Sequence, residues 1–196
     1  MQILKTRRLV LRSWQETDRD LFREINSDPK VMEFFPFRRS HAESDEVLDK
    51  LNRMISDTGL GFYAIALRET DEPIGFCGLA LANLGAILSP DAVEIGWRLA
   101  TRFWGNGYVT EAAAALLDFG FAGKVLPEIV SFAVAANHRS TAVMERLGMQ
   151  RDPARDFDHP RVSDSHPHLK KHVLYTISRE RWARDRGVDL EDLPKA

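Results

Sequence analysis

Val93-Glu-Ile-Gly-Trp-Arg-Leu99, Ala100-Thr101, Arg102-Phe-Trp-Gly-Asn-Gly-Tyr108 and Val109-Thr-Glu-Ala-Ala-Ala-Ala115 follow one another in mid-chain. Val93, Ile95, Trp97 and Leu99 alternate with Glu94, Gly96 and Arg98, the period of a strand. Gly105 and Gly107 allow a tight turn and a close backbone approach to a ligand. Val109, Ala112, Ala113, Leu116, Leu117 and Phe121 then recur at helical spacing. The stretch therefore reads as strand, glycine loop and helix start. The first N–H groups of such a helix lack intrahelical partners, and its macrodipole favours an anion there.

A diphosphate laid across Gly105, Asn106 and Gly107 would be held by main-chain donors, with Arg102 adding charge beside them. No Lys-Ser/Thr follows the second glycine, which argues against a P-loop. Gly-Asn-Gly also lacks the third glycine of a dinucleotide fingerprint. A plain glycine turn before a helix is the competing reading, and the loop alone does not name the ligand.

The wider pattern does carry a resemblance. Arg102-Phe-Trp-Gly105-Asn-Gly107 resembles the Arg/Gln-x-x-Gly-x-Gly/Ala pyrophosphate loop of the GNAT superfamily of acetyl-CoA-dependent N-acetyltransferases. Glu94-Ile-Gly-Trp, Trp104-Gly-Asn-Gly-Tyr and Thr110-Glu-Ala are similar to the branch of ribosomal-protein alanine N-acetyltransferases, the RimJ/RimL type. Thr6-Arg-Arg8-Leu-Val-Leu-Arg12, Asn26-Ser-Asp-Pro29 and Asn137-His-Arg-Ser140 through Leu147-Gly148-Met extend the match, in order, across residues 6 to 178.

The fold that the resemblance implies is α/β (α+β): a mixed, mostly antiparallel central sheet of about seven strands with helices on both faces. It further implies acetyl-CoA as cofactor, bound by Trp97, Arg98, Leu99, Arg102, Trp104, Gly105, Asn106, Gly107, Tyr108 and Val109. Within that set, main-chain N–H groups near Trp97 to Leu99 would hold the developing oxyanion, and Asn137 would hydrogen-bond the pantetheine arm.

Composition is that of an ordinary globular chain. The 196 residues most simply make one domain, 1–196, with 44% apolar and 29% charged residues. A net charge of −2 gives no bulk attraction to nucleic acid or anionic membrane. No apolar run reaches the roughly 18 residues that span a bilayer, and the N-terminus lacks a signal peptide's apolar stretch. Cys77 is the only cysteine, so no intrachain disulfide forms and a reduced, cytoplasmic setting is expected. Cys77 itself reads as a small buried hydrophobe in a strand rather than an acyl-carrying nucleophile.

Along the chain, residues 3 to 13 are expected as a first strand. Thr17 or Asp18 is positioned to cap a helix carrying Leu21, Phe22 and Ile25. Phe34-Phe-Pro-Phe-Arg-Arg39 is an aromatic, basic loop, read either as packing over the core or as a substrate wall, with Phe35, Phe37 and Arg38 as contacts. Ser40-His-Ala-Glu43 has capping-box spacing, and Val47, Leu48, Leu51, Met54 and Ile55 make the following apolar face. Residues 61–67 and 74–81 read as a hairpin, 128–135 as a strand, 138–147 as a short helix closed by Gly148, and 172–177 as a closing strand. Residues 150 to 170 read as one long polar loop, and His159 within it as a substrate contact.

Acetyl transfer from a thioester to an amine needs a proton acceptor for the amine, donors for the oxyanion, and a proton or hydrogen bond for the leaving sulfur. Glu94 is the candidate base, a carboxylate among apolar strand residues where burial should raise its pKa; a structural Glu paired with an arginine is the alternative. Many family members carry a tyrosine seven residues after the motif asparagine. Met144 stands there in this chain, which departs from that pattern; Ser140, three residues after Asn137, matches the serine of the ribosomal-protein branch, and the resemblance makes it the candidate acid or hydrogen-bond donor to the leaving sulfur, against a simple first-turn serine.

His159, His166, His168 and His172 with Asp156 and Asp158 do not have metal-ligand spacing, and no metal is expected. The acceptor is expected to be a protein N-terminal or small-molecule amine, with the chain a monomer or homodimer and no nucleic-acid or membrane partner. The alternative class is a non-catalytic acyl-CoA-binding regulatory module.

Overall fold

The computed structural model describes residues 1–193. In chain order the elements are β1 (Gln2–Lys5), β2 (Leu9–Arg12), α1 (Arg19–Ser27), α2 (His41–Thr58), β3 (Gly61–Leu67), β4 (Pro73–Leu81), β5 (Val93–Leu99), α3 (Tyr108–Asp118), β6 (Glu128–Val134), α4 (His138–Arg146), β7 (Gln150–Arg151), β8 (Phe157–Asp158), β9 (Lys171–Ser178) and α5 (Arg179–Arg186). They form two compact units. One takes residues 1–80 and 96–115, the other residues 81–95 and those from 116 onward. The chain passes from one unit to the other within β5 and again within α3.

In the first unit β1, β2, β3 and β4 are joined in sequence by antiparallel pairing. The opening stretch is thus two strands, not the one expected over 3 to 13, because the chain reverses at Thr6–Arg8 between them. Leu9 and Leu11 of β2 are fully buried, as are Ile65 of β3 and Ile74 of β4. Ala100, just past β5, donates to the Ile74 carbonyl at 3.1 Å.

Helix α2 begins with the capping box the spacing predicts. Ser40 Oγ accepts from the Glu43 N–H at 3.3 Å, and Glu43 accepts from the Ser40 N–H at 2.8 Å. Its buried face is Ser44, Leu48, Leu51 and Ile55, whereas Met54, expected on that face, is exposed. The buried positions step by four, three and four, and Met54 falls one residue off that stripe. Arg23 forks onto Asp45 at 2.9 and 2.6 Å and Arg19 reaches Asp49 at 2.9 Å, so α1 and α2 are tied by charge on their outer rows.

Asp18 occupies the N-cap position of α1, but its side chain does not cap that helix. Its carboxylate is fully buried and takes both terminal nitrogens of Arg12 at 2.6 and 3.1 Å, plus the Gln15 N–H at 2.8 Å. Bidentate pairing with a guanidinium outweighs a cap in that buried position.

In the second unit the first half of β5 runs parallel to β6, with Val93 opposite Ile129 and Glu94 opposite Val130. Strand β9 pairs antiparallel with β6 along its whole length, from Glu128↔Ser178 to Val134↔His172. The stretch 150–170, expected as one loop, contributes β7 and β8, both antiparallel to β9. Phe157 explains this: only 8% exposed, it packs with Leu84, Leu88, Val130 and Leu174, and apolar burial pins an otherwise polar segment. With the divided opening strand, the described residues hold nine strands rather than about seven.

The charged C-terminal segment is anchored likewise. Trp182 is buried, its Nε1–H donates to Asp118 at 2.8 Å, and its ring lies 5.4 Å from that of Phe121. Phe121 belongs to a π-turn, Phe119–Gly123, which continues α3. Cys77 is wholly buried in β4, and burial pushes its thiol far up, which fits a packing role. No helix among the described residues is long and apolar enough to cross a membrane.

The Arg12–Asp18 pair generates a stability prediction. Asp18→Asn leaves a buried guanidinium with only the exposed Asp71 carboxylate, 3.2 Å from its Nε, as counter-charge and should cost about 3–5 kcal/mol. Replacing both residues by apolar ones of similar volume should cost less than the single change. Urea midpoints of the wild type and the two variants measure this, and a single-variant loss below about 1 kcal/mol would refute it.

Candidate active site

In the first unit, Thr101–Phe103 makes one 3-10 turn after β5, and the chain then enters the glycine loop. Gly105 and Gly107 have φ of 77° and 74°, a left-handed conformation costing a side-chain-bearing residue about 1–2 kcal/mol. The loop is fixed by its own side chains. Trp104 Nε1–H donates to the Leu99 carbonyl at 2.9 Å, and Asn106 Nδ2–H donates to the Phe103 and Trp104 carbonyls at 3.2 and 3.1 Å. A Cβ added at Gly105 would meet nothing within 4 Å, and one at Gly107 only the Arg8 guanidinium at 3.6 Å. The backbone here is bent, braced and open, as a main-chain phosphate cradle requires.

Three donors tie the turn between β1 and β2 to α3. One Glu111 oxygen accepts from Thr6 Oγ1–H at 2.6 Å and from the Arg8 N–H at 2.8 Å, and the other accepts from Arg8 Nε–H at 2.6 Å. These bonds, with the Arg8 charge, keep the Glu111 carboxyl below its ordinary range against the opposing effect of burial. The Arg8 guanidinium also lies over the Tyr108 ring at 4.7 Å. Arg102 is paired with Glu24 of α1 and lies over the Phe103 ring. Arg8 is the cation beside the loop that sequence reasoning missed; its only signal was membership of the Thr6-Arg-Arg8 motif.

The aromatic loop and the end of β5 form a second cluster in the same unit. Phe35 and Phe37 are exposed, with ring centroids 6.0 Å apart. Arg38, the expected contact, is exposed, and its neighbour Arg39 joins the rings instead, its Cζ 4.5 Å from the Phe37 centroid. The Arg98 side chain donates to Asn26 Oδ1 at 2.6 Å and sits 4.3 Å from the Phe35 centroid and 5.3 Å from that of Phe76. Burial and the nearby Arg39 push its pKa down to about 9.

The second unit holds the candidate catalytic residues. Glu94 is half-buried near the start of β5, and burial pushes its pKa up to about 8, against the attraction of Arg161. Arg161 is held by a bond from Nη2–H to the Asn83 carbonyl at 2.7 Å. The parallel pairing of β5 with β6 is succeeded by a side-chain bond from Ser131 Oγ–H to the Ile95 carbonyl at 2.9 Å. Asn137 caps α4, its Oδ1 accepting from the Ser140 N–H at 3.2 Å, so Ser140 lies in the first turn. Met144 is buried in α4 as core.

His159 sits in a ring cluster with Phe132, Phe157 and His172, 4.8 Å from the His172 centroid. Burial, His172 and Arg161 push it down to about 4, so it is neutral near pH 7. No group of three or more His, Cys, Asp or Glu suited to a metal occurs among the described residues.

Comparison with known proteins agrees with these features. Residues 8–150 match the family model described as the acetyltransferase (GNAT) domain. The chain is 31% identical to the uncharacterized protein YkkB of Bacillus subtilis over 147 residues, covering 74% of this chain and 84% of that one. It is 28% identical to the FsC-acetyl coenzyme A-N(2)-transacetylase of Aspergillus fumigatus over 192 residues, covering 92% and 78%. A crystal structure of an acetyltransferase from Agrobacterium tumefaciens superposes with a TM-score of 0.69 at 30% identity, covering 89% of this chain and 92% of that one. With a mixed, mostly antiparallel sheet, a braced glycine loop opening α3 and a family match over most of its length, this chain belongs to the GNAT family of acetyltransferases.

Proposed function

We propose that the chain is an acetyl-CoA-dependent N-acetyltransferase that passes the acetyl group directly to a primary amine, with no acyl-enzyme stage. The observation that carries this reading is the open, braced loop at the start of α3, where a side chain at Gly105 would occupy otherwise empty space. Main-chain N–H groups of Gly105, Asn106, Gly107, Tyr108 and Val109 take the pyrophosphate, aided by the helix dipole and the Arg8 charge. The thioester supplies the activated acetyl group. The Aspergillus relative's name, a transacetylase of acetyl coenzyme A, is consistent with that cofactor. The motifs that this chain shares with the RimJ/RimL branch, in the opening strand, at the end of the first helix and around the glycine loop and Asn137, are the basis on which we assign it to that branch. Buried, reduced Cys77 supports a cytoplasmic setting.

In this mechanism Glu94 accepts the proton that the ammonium must lose, directly or through one water. A carboxylate poised near 8 matches an α-amine of about 7.7–8.0 far better than an ordinary one does. Main-chain N–H groups from Trp97 to Leu99 receive the carbonyl oxygen as negative charge develops on it. As nitrogen bonds to the acetyl carbon and the carbon–sulfur bond breaks, Ser140 offers its hydroxyl to the departing sulfur. Asn137, whose Oδ1 is engaged as a cap, offers its amide N–H groups to the pantetheine arm.

Thiol release from acetyl-CoA across peptides, amino acids, polyamines and antibiotics tests the activity; binding without release by any amine would leave a binding module. Glu94→Gln should lower kcat by roughly 10²–10⁴-fold with little change in acetyl-CoA affinity. At saturating amine the wild type should show a limb of kcat rising with pH around 8, absent from the variant, and an unchanged kcat at pH 7 would remove Glu94 from the mechanism.

The same group gives an independent stability signature. Its folded pKa is raised, so its contribution is complete below about pH 4.5 and is lost as pH rises through about 8. Urea midpoints should therefore fall from about pH 5 to about pH 9 more steeply in the wild type than in Glu94→Gln. For the loop, Gly107→Val adds left-handed strain and covers the phosphate surface. It should raise the KM for acetyl-CoA by about tenfold or more while kcat for the bound complex is kept.

A further inference from the structure

Arg98 and Arg39 stand out once the loop and Glu94 have been given their work. A guanidinium set among aromatic rings normally has a carboxylate beside it, because a charge out of water without a partner is costly. Here Arg98 has one side-chain bond, to the neutral Asn26 Oδ1, and two rings, Phe35 and Phe76. The nearest charge acting on it is a second cation, Arg39. Asn26 links the two, since its carbonyl accepts from the Arg39 N–H at 3.0 Å while its Nδ2–H is fixed to the Phe22 carbonyl at 2.8 Å. Arg39 is acted on by Glu43, with no hydrogen bond between them, and that carboxylate is committed to the α2 capping box. Among the described residues no carboxylate pairs with either arginine. The result is two partly desolvated guanidiniums, each against a phenylalanine ring, at the exposed Phe35–Phe37 loop.

We propose that this pair recognises a carboxylate on the acceptor, so that the substrates are amines that also bear an acidic group. The inference rests on the acetyltransferase reading and deepens it. A carboxylate entering between the two guanidiniums accepts hydrogen bonds from both, removes their mutual repulsion and replaces lost hydration. The phenylalanine rings then cover the carbon chain between the amine and the acid.

Thiol release measured on free amino acids and on the same amino acids as C-terminal amides tests this, together with peptides carrying Glu or Gln at the second position. Wild type should prefer the acid over its neutral counterpart by roughly 10–100-fold in kcat/KM once amine ionisation is allowed for. Whichever pair shows the preference identifies the source of the carboxylate. Arg98→Gln and Arg39→Gln should each cut that ratio by about tenfold or more, and intrinsic amine reactivity cancels in the comparison between variants. Arg98→Gln removes an unpaired desolvated charge and should melt no lower than wild type; should it fail to fold, Arg39→Gln on the loop carries the test.

A ratio near one in the wild type, or one untouched by both substitutions, overturns the proposal. So does a rise in the KM for acetyl-CoA alone, which would place the pair on the cofactor. If no amine is turned over, the acetyltransferase reading is what fails. Succinate, which lacks an amine, should still raise the Tm of the wild type and not of Arg98→Gln, and its failure to do so rejects the anion site independently.

Discussion

The Glu111 carboxylate is the tie on which the candidate cofactor site depends. It sits in the first turn of α3 and gathers three hydrogen bonds from Thr6 and Arg8, where the chain reverses between β1 and β2. These bonds hold the opening hairpin to the first turn of that helix. The same contact brings the Arg8 guanidinium to the Tyr108 ring and beside Gly107. A negative side chain in the first turn also favours the helix dipole. One partly buried acid therefore sets Arg8 beside Gly107, adding a cation next to a loop that the chain otherwise builds from main-chain donors.

Strand β5 expresses a second constraint, the cost of placing ionisable groups among apolar neighbours. Glu94 and Arg98 occupy alternate positions of one strand, and burial drives their pKa values in opposite directions, the acid up to about 8 and the base down to about 9. Neither has the counter-charge that would cancel the shift; Arg161 only moderates the first, and Arg39 deepens the second. Structural ion pairs in the same chain look different. Arg12 and Asp18 are buried face to face with bidentate bonds, and Arg23 forks onto Asp45. Against that background the buried charges of Glu94 and Arg98 are the exceptions, and such exceptions are what the proposed catalytic and acid-binding roles draw on.

Much of this was readable in the residues. The strand period of 93–99, the glycine loop, the helix from Tyr108, the capping box at Ser40–Glu43 and the burial of Cys77 all follow from local rules of spacing and conformation. Glu94 was legible for the same reason, since a carboxylate in an apolar strand has its ionisation set by burial. Other features were not legible. Asp18 has the residue type and place of a helix cap, and only the arrival of Arg12 makes it an ion-pair partner. Residues 150–170 look like loop by composition, and only the burial of Phe157 against Leu174 and Val130 turns parts of them into strands. Arg39, rather than Arg38, joins the aromatic cluster because the Asn26 carbonyl fixes its backbone.

Sequence by itself determined the local grammar: where strands alternate, where glycine permits a left-handed turn, where a helix begins, and which acid is surrounded by apolar neighbours. These depend on interactions among residues a few positions apart, and so they are written in the order of the chain. Tertiary structure decided which charges are answered and which are left open. Thr6 and Glu111 are 105 positions apart, and Asn26 and Arg98 are 72 apart. Whether a guanidinium meets a carboxylate, an amide or only aromatic rings is settled by packing across those separations, which no local pattern encodes.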